Sequence, residues 1–164
     1  HEKTHVFGSD FCHPMLTAAR GKASKRGAVT HLFEGDALAL PLADRSLDLI
    51  TVAFGFRNFV NYRSGLRELG RVLKPGGMLA ILEFSTPPNP VIRGLYGVYS
   101  KTILPAVGGL VSGSRDAYTY LPESVRKFPI AEVLAAEMEA AGYTRVKFER
   151  MTFGVVALHT GLAG

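Results

Sequence analysis

The chain has 164 residues, 47% hydrophobic and 20% charged, which is one domain's worth of globular sequence with enough apolar mass for a core. Nineteen Lys and Arg against fourteen Asp and Glu leave a net charge of +5, but the cations are scattered and no basic stripe with interleaved aromatics appears, so no nucleic-acid partner is expected. Cys12 is the single cysteine, which excludes an intrachain disulfide, and the five histidines show no paired metal spacing beyond His1 and His5 at the terminus, so no metal site is expected.

Strands and helices alternate along the first half. "HVFGS" reads as a short strand running into Asp10, and "PMLTAARGKASKRG" as a helix with Pro14 in its first turn and Met15, Leu16 and Ala19 on its apolar face. "VTHLFEGD" is a second strand ending at Gly35-Asp36, and "ALALPLADRSLD" is a loop punctuated by Pro41. "LDLITVAF" is a nearly unbroken apolar run, the pattern of a parallel strand covered on both faces. In "YRSGLRELGRVL", Tyr62, Leu66, Leu69 and Leu73 share one stripe of a helix, which Lys74-Pro75-Gly76-Gly77 stops before the strand "MLAILEF". A repeating βα pattern of this kind implies a parallel sheet with right-handed crossovers.

The last third changes character. Ile92, Leu95, Tyr96, Tyr99 and Ile103 keep helical spacing through an unusually apolar stretch, and Lys101, Pro105 and several glycines argue against a membrane span there. "YLPESVRKFP" reads as a loop or short helix, "IAEVLAAEMEAAG" as an amphipathic helix ended by Gly142. "TRVKFERM" and "FGVVALHT" are strands joined too closely for anything but an antiparallel pair. The expected fold class is therefore α/β: a mostly parallel, doubly wound, Rossmann-like sheet finished by a C-terminal antiparallel hairpin. The first residues are charged and polar, unlike a secretory signal.

Four constellations fall at the carboxyl ends of the predicted strands, where such sheets bind ligands. Asp10 can accept hydrogen bonds from vicinal ribose hydroxyls, and it can equally cap a turn or helix. Asp36-Ala37 offers an acceptor and the next backbone N–H, enough to read an adenine, or it is a plain Gly-Asp turn. In "AFGFRN", Phe54 can wall an aromatic ring, and Arg57 and Asn58 set a cation and an amide at the sheet mouth. In "RVLKPGGMLAILEFS" the Gly-Gly turn is architectural, whereas Glu83 near the end of a buried strand needs a partner and Ser85 reaches the same edge.

The strings "DFCHPML", "GDALALP", "AFGFRN", "RVLKPGGMLAILEFS" and "YLPESV" stand in the order found in the ubiquinone/menaquinone biosynthesis C-methyltransferases, which this chain resembles over essentially all its length. "RVLKPGG" alone is common among class I S-adenosylmethionine methyltransferases, and the longer set is far more specific. The resemblance implies C-methylation of a polyprenyl quinol, a demethylmenaquinol or a methoxy-polyprenyl-benzoquinol, with S-adenosylmethionine as donor and no metal. It assigns Asp10, Phe11, Asp36, Ala37, Ala53 and Phe54 to the cofactor, with Ala53 where some relatives carry Ser. It leaves Arg57 to stabilise the acceptor's phenolate electrostatically, and Asn58, Asp116, Tyr118 and Tyr120 to position the acceptor hydroxyl or relay its proton. The family's glycine-rich loop and central strand lie upstream of the strand that holds Asp10, so the chain is expected to be one methyltransferase domain, residues 1–164, lacking its first strand-helix unit, with residues 87–122 as a lid over the substrate.

The alternatives are a catalytically incompetent fragment, with unpaired edges on the strands ending at Ser9 and Phe54, and a methyltransferase for another small lipophilic acceptor. The expected location is cytoplasmic, with peripheral membrane association through the apolar stretch and basic charge, or a homodimer contact through the same residues.

Overall fold

The computed structural model describes residues 5–26, 31–99 and 123–164. Six strands and four longer helices are described: β1 Phe7–Asp10, α1 His13–Lys25, β2 His31–Glu34, β3 Leu47–Ala53, α2 Tyr62–Val72, β4 Leu73–Phe84, α3 Pro90–Val98, α4 Ala131–Ala140, β5 Tyr143–Met151 and β6 Val156–Ala163. Residues 123–127 add a short helical stretch. The strands form two sheets. β1 and β2 pair in parallel, and β3-β4-β6-β5 form a four-stranded sheet in which β3 and β4 are parallel and β6 is antiparallel to both its neighbours. The mixed α/β architecture and the hairpin are those expected.

Helix starts follow local chemistry. The Asn61 side chain accepts from Ser64 N at 3.0 Å and opens α2, and the Asn89 side chain accepts from Val91 N and Ile92 N ahead of Pro90 and opens α3. Leu66 and Leu69 then face inward from α2, where Leu79 and Ile81 of β4 meet them together with Leu134 and Met138 of α4, and Val72 is buried as well. The segment Lys74–Gly77 is looped out of the β3–β4 ladder, since Leu47 pairs with Leu73 but Leu49 pairs with Met78. Gly76 takes φ +77°, which glycine adopts without steric cost.

Two expectations need correction. β3 is not covered on both faces: Leu49, 55% exposed, shares one face with Thr51 and Ala53, also exposed, and among the described residues no helix covers that face. In α1 only Leu16 is buried, and Met15 is exposed, because the small β1-β2 sheet offers α1 little to pack on. Among the described residues β1 and β3 each pair along one edge only, as expected of strands without a shared neighbour. Ile103 and most of the predicted lid, residues 100–122, lie outside the described residues.

The hairpin carries the tightest backbone. Thr152, Phe153 and Gly154 all have positive φ in the turn between β5 and β6. A Cβ on Gly154 would lie 2.7 Å from Pro88 Cδ and 3.3 Å from Pro87 Cα, with φ +90° strained for any L side chain. Gly154→Ala is therefore expected to cost about 1–3 kcal/mol of stability, read from the urea midpoint. An unchanged midpoint would show that the turn re-forms freely.

β6 puts His159 on the core-facing stripe between Ala157 and Gly161. Nε2 donates to the Ala131 carbonyl at 2.9 Å, while Nδ1 is buried without a partner among the described residues. Burial holds the imidazole below its usual range, and nearby Arg150 pushes the same way, against the Ala131 bond and Glu132. The unfolded chain then binds the extra proton first as pH falls. Stability should accordingly drop as pH is lowered through about 6.5 and below. His159→Gln should flatten that part of the parent's pH-stability curve, and an identical slope would contradict the assignment.

Candidate functional site

Parallel pairing sets the rim. Asp10 lies opposite Glu34 in the β1-β2 ladder and Asp36 follows two residues on, so both carboxylates stand at the carboxyl end of the small sheet. Ala53 lies opposite Leu82 in the β3-β4 ladder, which brings Phe54, Arg57, Glu83 and Ser85 to the carboxyl end of the large sheet. Among the described residues no strand ladder joins the two halves of this rim. The loop after β2 is nevertheless anchored to the large sheet's helix. Leu40 N donates to Glu68 at 2.7 Å, and Arg71 binds Glu68, Asp44 and the carbonyls of Leu40 and Leu42. That anchorage raises Arg71 above its usual pKa and lowers Glu68.

Asp10 and Asp36 are both exposed and both make the turns that the sequence allowed. Asp10 Oδ1 accepts from Cys12 N and Asp36 Oδ1 from Leu38 N, each at 2.8 Å. The second oxygen of each carboxylate has no partner among the described residues. The turn and ligand readings are therefore compatible: the turn fixes the carboxylate and leaves one oxygen to receive a hydroxyl or amine. Phe11 is 76% exposed beside Asp10, and Ala37 is half-buried beside Asp36.

The other half of the rim is more tightly built. Ala53 is exposed at the strand end. Phe54 follows with φ +56°, a conformation an aromatic residue rarely holds, its N–H donating to Leu82 O and its ring 4.9 Å from that of Phe84. The chain then makes a single 3-10 turn, Phe56–Asn58. Phe56 fills the core, while Arg57 turns back onto the sheet and Asn58 stays at the surface.

Arg57 is heavily engaged. Nη1 donates to Glu83 Oε1 at 3.0 Å and to the Phe54 carbonyl, Nε donates to Ser124 Oγ at 3.3 Å, and the guanidinium carbon sits 5.4 Å from the Phe84 ring centre. The side chains of Arg57 and Glu83 are 11% and 1% exposed. Glu83 also accepts from Arg57 N and Phe84 N. Period-two alternation explains the site: Leu79, Ile81 and Glu83 share the buried face of β4, so the carboxylate must find its partner inside. Ser85, next on that face, is 3% exposed with Oγ unpartnered among the described residues.

The sequence signalled that Glu83 needed a partner but not that the partner was Arg57. Nor did it single out Ser124, whose contact comes from 67 residues away and leaves no local pattern. Asp116, Tyr118 and Tyr120 lie outside the described residues. Among the described residues no group of three or more His, Cys, Asp and Glu side chains could hold a metal ion, and no helix is long and apolar enough to cross a membrane. A shallow groove between α2 and α4, lined by Asn61, Arg63, Lys127 and Glu137, lies away from the rim. Its one strong feature is the Arg63–Glu137 pair, which ties the two helices together.

The model of the ubiE/COQ5 methyltransferase family matches residues 1–163. The chain is 53% identical to a demethylmenaquinone methyltransferase of Thermus thermophilus over 95% of its own length and 70% of that protein's. It is 46% identical to one from Deinococcus radiodurans, covering 97% and 66%. It is 44% identical to a ubiquinone/menaquinone biosynthesis C-methyltransferase of Dinoroseobacter shibae, covering 93% and 62%. It thus spans roughly two thirds of the length of the relatives it matches. In fold it is similar to a SAM-dependent methyltransferase from Aquifex aeolicus, with TM-score 0.70 at 21% identity over 99% of this chain and 71% of that one.

Proposed function

The chain belongs to the ubiE/COQ5 methyltransferase family, and from that premise we propose that it serves S-adenosylmethionine-dependent C-methylation of a polyprenyl quinol in menaquinone or ubiquinone biosynthesis. The observation that carries this reading is the close identity to demethylmenaquinone methyltransferases along nearly the whole chain. The rim chemistry fits the donor. Asp10 and Asp36 each hold one carboxylate oxygen ready to accept, which suits ribose hydroxyls and an adenine amine, Ala37 supplies an apolar surface next to Asp36, and Phe54 offers an aromatic face on the other sheet's rim. When bound, the cofactor supplies an activated methyl group on a sulfonium.

Asp10 and Asp36 would hold the cofactor, and the chemistry it would supply is a methyl group that leaves without its bonding electron pair, for the acceptor's ring carbon to take up. The same ring carbon then loses its proton, which restores the aromatic ring. A ring hydroxyl must surrender its proton for that carbon to be nucleophilic, and a phenol titrates near ~10. Arg57 supplies hydrogen-bond donors to the developing phenolate at the carboxyl rim. Asn58, Asp116, Tyr118 and Tyr120 are the candidates to position the hydroxyl or pass its proton on. Residues 87–122 form the lid over the isoprenoid tail in this reading. Three exposed apolar residues of α3, Val91, Leu95 and Val98, support it. They equally suit docking at a membrane face or a second subunit.

The test is an acceptor comparison with the chain and S-adenosylmethionine. The reduced demethylmenaquinol should be methylated on carbon, and the oxidised quinone should not, because only the quinol ring is nucleophilic. Methylation confined to unrelated lipophilic acceptors would move the function to another substrate class.

A further inference from the structure

Arg57 carries a positive charge at the rim, but Glu83 cancels most of its field. The carboxylate is nearly sealed from water, and the three hydrogen bonds it accepts from Arg57 Nη1, Arg57 N and Phe84 N leave little room for reorientation. The guanidinium is fixed as well, with Nη1 on Glu83 and the Phe54 carbonyl and Nε on Ser124. Among the described residues, Nη2 alone has no partner. Among the described residues, the only ion pair in which either residue takes part is the one between them, and the one titratable hydroxyl reaching Arg57 is that of Tyr62, which donates to its backbone carbonyl at 3.2 Å.

We infer that Glu83 is a positioning residue for methyl transfer: it clamps the Nη1 side of Arg57 so that Nη2 is the donor presented to the acceptor's ring hydroxyl. The inference rests on the proposed quinol methylation. It changes the expected electrostatics. A lone guanidinium would pull the hydroxyl's titration strongly downward, whereas a guanidinium paired with a buried carboxylate acts chiefly as an oriented hydrogen-bond donor. Orientation is thereby gained at the expense of charge.

Two effects of Glu83→Gln separate this role from simple scaffolding. Loss of the clamp should lower the pH-independent turnover about tenfold or more, since misplacing a catalytic group by an ångström is that costly. Loss of the negative charge should move the acid limb of the pH–turnover profile downward by about one pH unit, because the bound hydroxyl then faces an unopposed cation. The KM for S-adenosylmethionine should not change. Glu83→Asp keeps the charge but shortens the reach, so it should lower the plateau and leave the limb in place. A folded Glu83→Gln enzyme with an unmoved limb overturns the inference. If Glu83→Gln does not fold, Glu83→Asp decides it: turnover equal to the parent's, or a displaced limb, overturns it. A parent that methylates no quinol sinks the functional reading and this inference with it. That result is distinct from an active parent whose Glu83 variants behave like it.

Discussion

Replacing Arg57 by methionine is expected to destabilise the fold by about 3–5 kcal/mol, because it leaves the Glu83 carboxylate buried without its counter-charge. The loss arises at Glu83, so it should be relieved from Glu83. In the double variant Arg57→Met, Glu83→Met, with both charges replaced by apolar side chains of similar length, most of the stability should return. Urea denaturation of the parent, both single variants and the double variant gives the coupling directly. If Arg57→Met is as stable as the parent, the pair does not hold this part of the rim. The consequence for function is practical. Lost turnover in an Arg57 variant reports catalysis only after folding has been checked, and assays belong well below the variant's melting temperature.

The second large effect concerns Asp10. Its turn to Cys12 N uses only one carboxylate oxygen, and asparagine can make the same turn. Asp10→Asn therefore keeps the local fold while removing the charge and one acceptor. If Asp10 holds the ribose, calorimetry with S-adenosylmethionine should show affinity reduced by ~1.5–3 kcal/mol, the scale of a hydrogen bond to a charged group. That corresponds to about a 10- to 150-fold rise in dissociation constant. Unchanged affinity would assign Asp10 to the turn alone.

Much of the fold was legible because it is written in short-range pattern. The stripe of Tyr62, Leu66 and Leu69 announced α2, although Leu73, expected on the same stripe, opens β4 instead, and the near-continuous apolar run "MLAILEF" announced β4. The close spacing of the last two strands announced the antiparallel hairpin. Long-range facts were less legible. β3 looked like a strand covered on both faces, yet Leu49 is exposed, since coverage depends on neighbours that an apolar run cannot specify. The place of β6 between β4 and β5 likewise depends on pairing across 70 and more residues.

The site divides in the same way. Strand ends followed by Asp or Arg were visible in sequence, and parallel pairing did bring Asp10 with Asp36 and Arg57 with Glu83 to carboxyl ends. The arginine's partners were not visible. A guanidinium that binds Phe54, Glu83 and Ser124 draws on three separate segments, and no local spacing encodes that. In the proposed reading the fixed pair turns Arg57 from a free cation near the phenolate into an oriented donor.

The central claim is that the carboxyl rims of the two sheets act together as one site. Hydrogen–deuterium exchange with and without S-adenosylmethionine tests it most directly, because it reads each rim separately. Joint action requires the amides around residues 11–13, 36–38 and 54–58 to slow together, at the same cofactor concentration. Protection confined to one sheet's rim, or found nowhere along either, would contradict it.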